Sequence, residues 1–171
     1  MSETRVCIIG AGASGLVATK ALSERGVAFD CYEMGSGIGG LWRFNNDNGR
    51  SAAYQSLHIN TSRNRMCFSG FPMPSHYPDF PHHSQILDYF EQYASHHGLH
   101  EKITFRTSVQ RVQSVGDGTY DIAIKSSNGL TQTRRYSGVV IANGHHWDPK
   151  LPEFSGEFSG NTMHSHDYRS P

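Results

Sequence analysis

The residues with the clearest chemical meaning are glycines near the start of the chain. The run Gly10-Ala11-Gly12-Ala13-Ser14-Gly15 has the spacing G-x-G-x-x-G and directly follows the apolar residues 6–9. In such a run the first glycine allows a tight turn, the second lets the backbone approach a pyrophosphate, and the third lets a helix pack against its strand. A helix that begins here also offers free N–H groups to phosphates. The spacing therefore predicts a dinucleotide-binding loop.

The elements that must position this loop are two strands and the helix between them. Residues 4–9 and 27–32 are predicted to be buried strands, and residues 14–25 are predicted to form the helix. Glu33 follows the second strand, where an acidic side chain accepts hydrogen bonds from ribose hydroxyls and disfavours a 2′-phosphate. Residues 4–33 thus form a β-α-β unit. These residues alone fit FAD and NAD equally well.

The rest of the chain predicts a loop-rich stretch, one further helix and more strands. Residues 35–80 are rich in Gly, Ser, Asn and Pro, and so long a stretch inside a domain is usually functional. A helix is expected from an N-cap at Ser84, and alternation over about residues 103–136 predicts a small antiparallel meander. Residues 139–142 should rejoin the main sheet. The predicted fold is α/β and Rossmann-like, with a parallel sheet and an inserted antiparallel β-meander.

Composition excludes several classes of function. Lys plus Arg and Asp plus Glu each number 15, so no basic surface suggests nucleic acid or an anionic membrane. The longest apolar runs have the length of strands, and the N-terminus lacks the layout of a secretory signal. The three cysteines form no C-x-x-C pair, which favours a reducing, cytoplasmic location. Adjacent histidine pairs lack the spacing of zinc ligands, so no metal is expected.

Several later segments carry recognisable motifs. Residues 37–42 read Gly-Ile-Gly-Gly-Leu-Trp, and residues 66–74 have the pattern M-x-F-x-x-F-P-x-P. Residues 142–152 are close to A-T-G-x-x-x-x-P-x-L-P, with Asn143 in place of the threonine, and residues 158–168 have the pattern F-x-G-x-x-x-H-S-x-x-Y. In this order the motifs resemble those of flavin-containing monooxygenases. By this resemblance residues 1–171 are the N-terminal part of an FAD-binding domain, with the C-terminal half and the NADPH-binding domain absent.

The resemblance also implies which residues form the site. Asn60 falls where the family has an active-site asparagine near the flavin ring, and its amide can donate to the reduced flavin or its peroxide and hold NADP. From the residues alone, a turn asparagine that satisfies local backbone is the favoured interpretation, and it is the resemblance on both sides that assigns Asn60 to the site. The residues expected to bind the cofactor are Gly10, Gly12, Ala13, Ser14, Gly15, Glu33, Gly39, Gly40, Leu41, Trp42, Asn60 and Thr61.

The implied reaction is oxygenation of a small soft nucleophile. In the family NADPH reduces FAD, O₂ forms a C4a-hydroperoxyflavin, and one oxygen passes to an amine or sulfide. The isolated chain is expected to be inactive, because the NADPH-binding glycine motif of the family lies downstream. A homo-oligomer is left open. Two alternatives remain: an FAD-dependent pyridine-nucleotide reductase, for which the expected C-x-x-C is missing, and a non-catalytic FAD-binding fragment.

Overall fold

The computed structural model describes residues 4–171. Short 3-10 helices occur at Gly40–Trp42, His100–Lys102 and Ser165–Asp167. In chain order the strands and α-helices are β1 (Arg5–Ile9), α1 (Ala13–Glu24), β2 (Ala28–Tyr32), α2 (Arg63–Met66), α3 (His83–His96), β3 (Ile103–Thr104), β4 (Thr107–Ser114), β5 (Tyr120–Ser126), β6 (Thr131–Tyr136) and β7 (Gly138–Ile141).

A four-stranded parallel sheet forms the centre of the molecule, in the order β3-β2-β1-β7. β1 lies between β2 and β7, with Val6 opposite Phe29 on one side and Gly138 on the other. Parallel strands are covered on both faces, which explains why the side chains of Cys7 and Ile8 are fully buried. The predicted α/β fold, with a parallel sheet and a small antiparallel one, is confirmed.

The antiparallel sheet has the order β4-β5-β6 and begins later than the sequence predicts. The alternating pattern placed residues 103–106 in the meander, but Ile103 pairs in parallel with Cys31 of β2. Ile103 is buried in the main core, and Arg106, with φ of 52°, turns the chain before β4 begins. The antiparallel sheet therefore spans Thr107–Tyr136.

A chain of hydroxyl groups attaches the antiparallel sheet to the parallel one. Arg134 donates to the hydroxyl of Tyr32 over 3.2 Å, and the Tyr32 and Tyr136 hydroxyl oxygens are 2.8 Å apart. Tyr136 in turn donates to Asp30 over 2.7 Å. Burial raises the pKa of Tyr136 far above its usual value, so its hydroxyl stays protonated and available as a donor.

α3 supplies much of the main core and holds the loop-rich stretch in place. Its buried side chains include Ile86, Tyr89, Phe90 and Tyr93, which recur at helical spacing. The Tyr89 hydroxyl donates to the carbonyl of Phe71 over 2.6 Å. The long stretch after β2 is thus packed against this helix although it has few regular elements of its own.

The N-cap of α3 is His82, two residues earlier than the predicted Ser84. His82 Nδ1 accepts a hydrogen bond from the N–H of Ser84, and Gln85 Oε1 accepts one from the N–H of His82. The imidazole acceptor replaces the hydroxyl that the sequence pattern suggested.

Candidate dinucleotide-binding site

The first glycine loop is shaped by two close backbone approaches. Gly10 has φ of +98°, and its N–H donates to the carbonyl of Tyr32 over 2.8 Å. Gly15 lies so close to Gly10 that a Cβ atom at residue 15 would be 1.9 Å from the Gly10 carbonyl oxygen. α1 begins directly after Gly12, which makes no side-chain cap, so its first N–H groups remain available to a ligand. Gly10 and Gly15 thus sit where a side chain would not fit, and a phosphate role for Gly12 stays a prediction.

The second glycine group lies against the first. Gly39 donates its N–H to the carbonyl of Ala11 over 3.0 Å. Gly40 has φ of +53°, and a Cβ atom there would be 3.2 Å from the Cα atom of Gly12. Two backbone segments without side chains therefore face each other at the N-terminus of α1, where a phosphate can approach both.

Polar side chains hold this second loop in position. Arg43 Nε donates to the carbonyl of Ile38 over 2.8 Å, and Arg43 Nη2 pairs with Glu91 Oε1 of α3 at 2.7 Å. The hydroxyl of Ser51 donates to the carbonyl of Leu41 over 2.6 Å. These contacts fix the loop to the main core before any ligand binds.

Glu33 is buried, with 4% of its surface exposed, and it connects the end of β2 to the glycine loop. Its Oε2 accepts the N–H of Ala11 over 2.8 Å, and its Oε1 accepts the N–H of Gly35 over 2.7 Å. Asn48 Nδ2 also donates to Oε1, over 3.4 Å. The carboxylate is thus held as an acceptor at the position expected for a ribose-binding acid.

A cavity of about 830 Å³ opens where these parts meet, a size typical of ligand sites. Nine of the twelve residues predicted to bind cofactor line it, and Gly15 packs against one of these nine, Gly10. The lining is completed by Ile9, Tyr32, Met34, Asn48, Arg50, residues 107–112 of β4 and residues 141–147. The sequence pattern assigned neither Asn48 and Arg50 nor β4 to the site. The nine are Gly10, Gly12, Ala13, Ser14, Glu33, Gly39, Gly40, Leu41 and Trp42.

Asn60 and Thr61 are not brought to this cavity. Both are exposed, and the Thr61 hydroxyl donates to Asn60 Oδ1 over 3.3 Å. The preceding residue, Ile59, is buried and its N–H donates to the carbonyl of Pro81. The structure therefore groups ten of the predicted residues around one cavity and leaves these two outside it, and a role for Asn60 stays a prediction.

The last motif packs against the loop-rich stretch. The ring of Tyr168 lies 5.5 Å from that of Tyr54, centroid to centroid. Arg169 donates to the carbonyl of Ala53 over 3.0 Å, and its own carbonyl accepts the N–H of Gln55. These residues support the middle of the chain and do not line the cavity.

A parallel sheet, a glycine loop at a helix N-terminus and a buried carboxylate after the second strand together define a dinucleotide-binding module. The model of the flavin-binding monooxygenase-like family matches residues 3–171. The chain belongs to this family.

Individual proteins agree with this assignment. The chain is 41% identical to flavin-containing monooxygenase 5 of Rattus norvegicus, an alignment that covers 100% of this chain and 34% of that protein. It is 40% identical to dimethylaniline monooxygenase [N-oxide-forming] 2 of the same species, over 98% of this chain and 33% of that one. The chain thus spans about a third of the length of these curated relatives.

Solved structures show the same architecture. S-allyl-L-cysteine S-oxygenase from Allium sativum superposes with a TM-score of 0.87 and 31% identity, over 96% of this chain and 42% of that one. A bacillithiol disulfide reductase from Bacillus cereus, at 19% identity and a TM-score of 0.70, shares the fold. Across residues 4–171 no helix has the length and apolar character needed to cross a bilayer.

Proposed function

We propose that the cavity binds FAD and that the chain serves a flavin-dependent monooxygenase, which uses NADPH and O₂ to oxygenate a soft nucleophile such as an amine or a sulfide. Family membership supports the flavin. The substrate class is supported by the names of two relatives, one forming N-oxides and one oxygenating the sulfur of S-allyl-L-cysteine. NADPH rests on the family resemblance.

The residues present fit FAD. Gly12 and Gly40 would hold the pyrophosphate at the N-terminus of α1, in a space that a Cβ atom at either residue would narrow. Glu33 would accept hydrogen bonds from the adenosine ribose. Bound FAD supplies the redox and oxygen chemistry, while the chain binds it, orients it and shields it from water. Asn60 is proposed to contact the flavin or NADP, which requires the flavin half to extend beyond the cavity.

The observation that carries this proposal is the close approach of Gly12 to Gly40, and a Gly12→Ala variant tests it. The backbone of Gly12 has φ of −78° and ψ of −165°, which any residue adopts. The added methyl would meet its nearest heavy atom, Gly40 Cα, at an ordinary 3.7 Å. The variant should therefore fold normally. FAD titration, monitored by flavin fluorescence, should show an affinity at least about tenfold weaker than that of wild type. This corresponds to a loss of about 1.4 kcal/mol in the free energy of binding.

Gly138→Ala is the matched control. Its methyl would lie 3.6 Å from Val6 Cγ2, inside the parallel sheet and outside the cavity lining. This variant should bind FAD with unchanged affinity. Equal affinities for both alanine variants would contradict the proposed phosphate position. No binding of FAD by the wild-type chain would contradict the proposal as a whole.

The reductase alternative has less support. Burial raises the pKa of the Cys7 thiol to about 12 and that of the Cys31 thiol to about 11, so neither is a reactive thiolate near neutral pH. The likeness to the disulfide reductase is one of fold. A non-catalytic FAD-binding role would give the same FAD titration, and assay of substrate-dependent NADPH oxidation in a protein that contains the chain would separate the two.

A further inference from the structure

Arg50 and Trp147 come from distant parts of the chain and meet at the wall of the cavity. The guanidinium carbon of Arg50 lies 4.1 Å from the centroid of the Trp147 ring, and both residues line the cavity. A guanidinium over an indole face within about 6 Å is an attractive cation–π arrangement. The pair therefore joins two segments of the cavity wall through a cation–π contact.

Hydrogen bonds place this pair at the same end of the cavity as Glu33. Asn48 Nδ2 donates to Glu33 Oε1, and Asn48 Oδ1 accepts the N–H of Arg50 over 2.9 Å. A continuous run of contacts thus leads from the carboxylate to the indole. β4 begins at the same place, because the N–H of Thr107 donates to the backbone carbonyl of Glu33 over 2.9 Å.

We propose that Trp147 and Arg50 form the adenosine subsite of the cavity, with the indole as a stacking surface for the adenine ring. The proposal rests on the FAD site proposed above, in which Glu33 receives the ribose attached to that base. Every nucleobase has a π-face, so a flat aromatic side chain binds it without needing matched hydrogen bonds. Arg50, in cation–π contact with the indole, holds the ring in place and keeps its own positive charge in the cavity.

The charge of the cavity supports the role assigned to Arg50. A pyrophosphate would bring negative charge into a cavity that already contains the Glu33 carboxylate. Arg50 and Arg111 both line the cavity, and the N-terminus of α1 also opens onto it. Arg50 is thus placed to offset phosphate charge while it fixes the indole.

Tryptophan fluorescence provides a direct test, because the two tryptophans of the chain, Trp42 and Trp147, both line the cavity. In a Trp42→Phe protein the emission comes from Trp147 alone. ADP and FMN, the two halves of FAD, serve as probes. ADP should quench the Trp147 emission in a saturable way. When FMN is added before ADP, the saturable quenching by ADP should be unchanged.

Affinity measurements on variants complete the test. Trp147→Ala should bind ADP and FAD about tenfold more weakly, with FMN binding unchanged, while Trp147→Phe should keep most of the affinity. Arg50→Lys keeps the charge but loses the planar guanidinium, so its affinity for ADP should fall between those of wild type and Trp147→Ala. Phe154→Ala and Arg25→Gln are matched controls, because both residues are exposed and outside the cavity lining.

The outcomes separate this inference from the proposed FAD site. If wild type binds FAD and Trp147→Ala binds ADP and FAD equally well, the adenosine subsite is wrong and the FAD site stands. If Trp147→Ala weakens FMN as much as ADP, the indole contacts the flavin half and the assignment is overturned. If the wild-type chain binds neither FAD nor ADP, both proposals are overturned. Far-UV circular dichroism of each variant identifies any that fail to fold.

Discussion

Replacing Gly15 with alanine should damage the fold and not merely the ligand site. The added Cβ would lie 1.9 Å from the carbonyl oxygen of Gly10 and 2.8 Å from its carbonyl carbon. An ordinary carbon–oxygen contact is about 3.3–3.6 Å, so the two backbones must separate by more than about 1 Å. Gly10 cannot yield easily, because its N–H is bonded to Tyr32 and its α-carbon faces the carbonyl of Ala142.

The expected magnitude follows from two opposing effects. Overpacking of a rigid contact costs about 1–3 kcal/mol and occasionally more. Alanine favours a helix over glycine by about 1 kcal/mol, which offsets part of that cost. Because the obstructing atoms are backbone, we take the upper end of the overpacking cost, about 3 kcal/mol, and the helix gain reduces it to a net loss of about 2 kcal/mol. For a chain of this size that corresponds to a melting temperature lower by roughly 4–8 °C.

Urea unfolding followed by far-UV circular dichroism measures this loss, with Gly12→Ala as the matched control. Gly12 precedes Gly15 by three residues at the start of α1, but the methyl at residue 12 meets only an ordinary contact. The control should therefore lie within about 0.5 kcal/mol of wild type. A Gly15→Ala protein as stable as this control would refute the packing described for the loop.

Two further predictions concern other parts of the molecule. Tyr136→Phe removes the hydroxyl that donates to Asp30, and it should lower the free energy of unfolding by about 1–2 kcal/mol in urea titrations. Unchanged stability would mean that this hydroxyl contributes nothing to attaching the antiparallel sheet. A thiol reagent at about pH 8 should modify Cys67 quickly and reach Cys7 and Cys31 only in denaturant, because burial raises the pKa of those two thiols and Cys67 is half-buried. Rapid modification that persists in Cys67→Ser would contradict this.

The parts of the site that the sequence predicted are those encoded locally. The glycine spacing, the strand before it and the acid after the second strand all lie within residues 4–33. Because they are close in sequence, the local pattern alone assigns them to one β-α-β unit. The α/β fold followed from the same unit. The parallel pairing of Ile103 was missed because a two-residue strand has no periodicity, and only burial against the core assigns it to the main sheet.

The other walls of the cavity depend on contacts between distant residues. β4 begins more than 70 residues after Glu33, and its alternating pattern does not reveal which sheet edge it approaches. Asn48 and Arg50 lie in a stretch without regular structure, where a lone polar side chain is usually solvated. Their part in the site emerges only from hydrogen bonds and ring contact with Glu33 and Trp147.

The position of β7 beside β1 has a consequence for the newly made chain. Val6 pairs with Gly138, about 130 residues later, so the central strand lacks one neighbour until that segment has been synthesised. At translation rates of about 5–20 residues per second, this interval lasts roughly 7–26 s. During that time the apolar edge of β1 is exposed to non-native pairing, and we expect the nascent protein to depend on chaperones until β7 emerges from the ribosome.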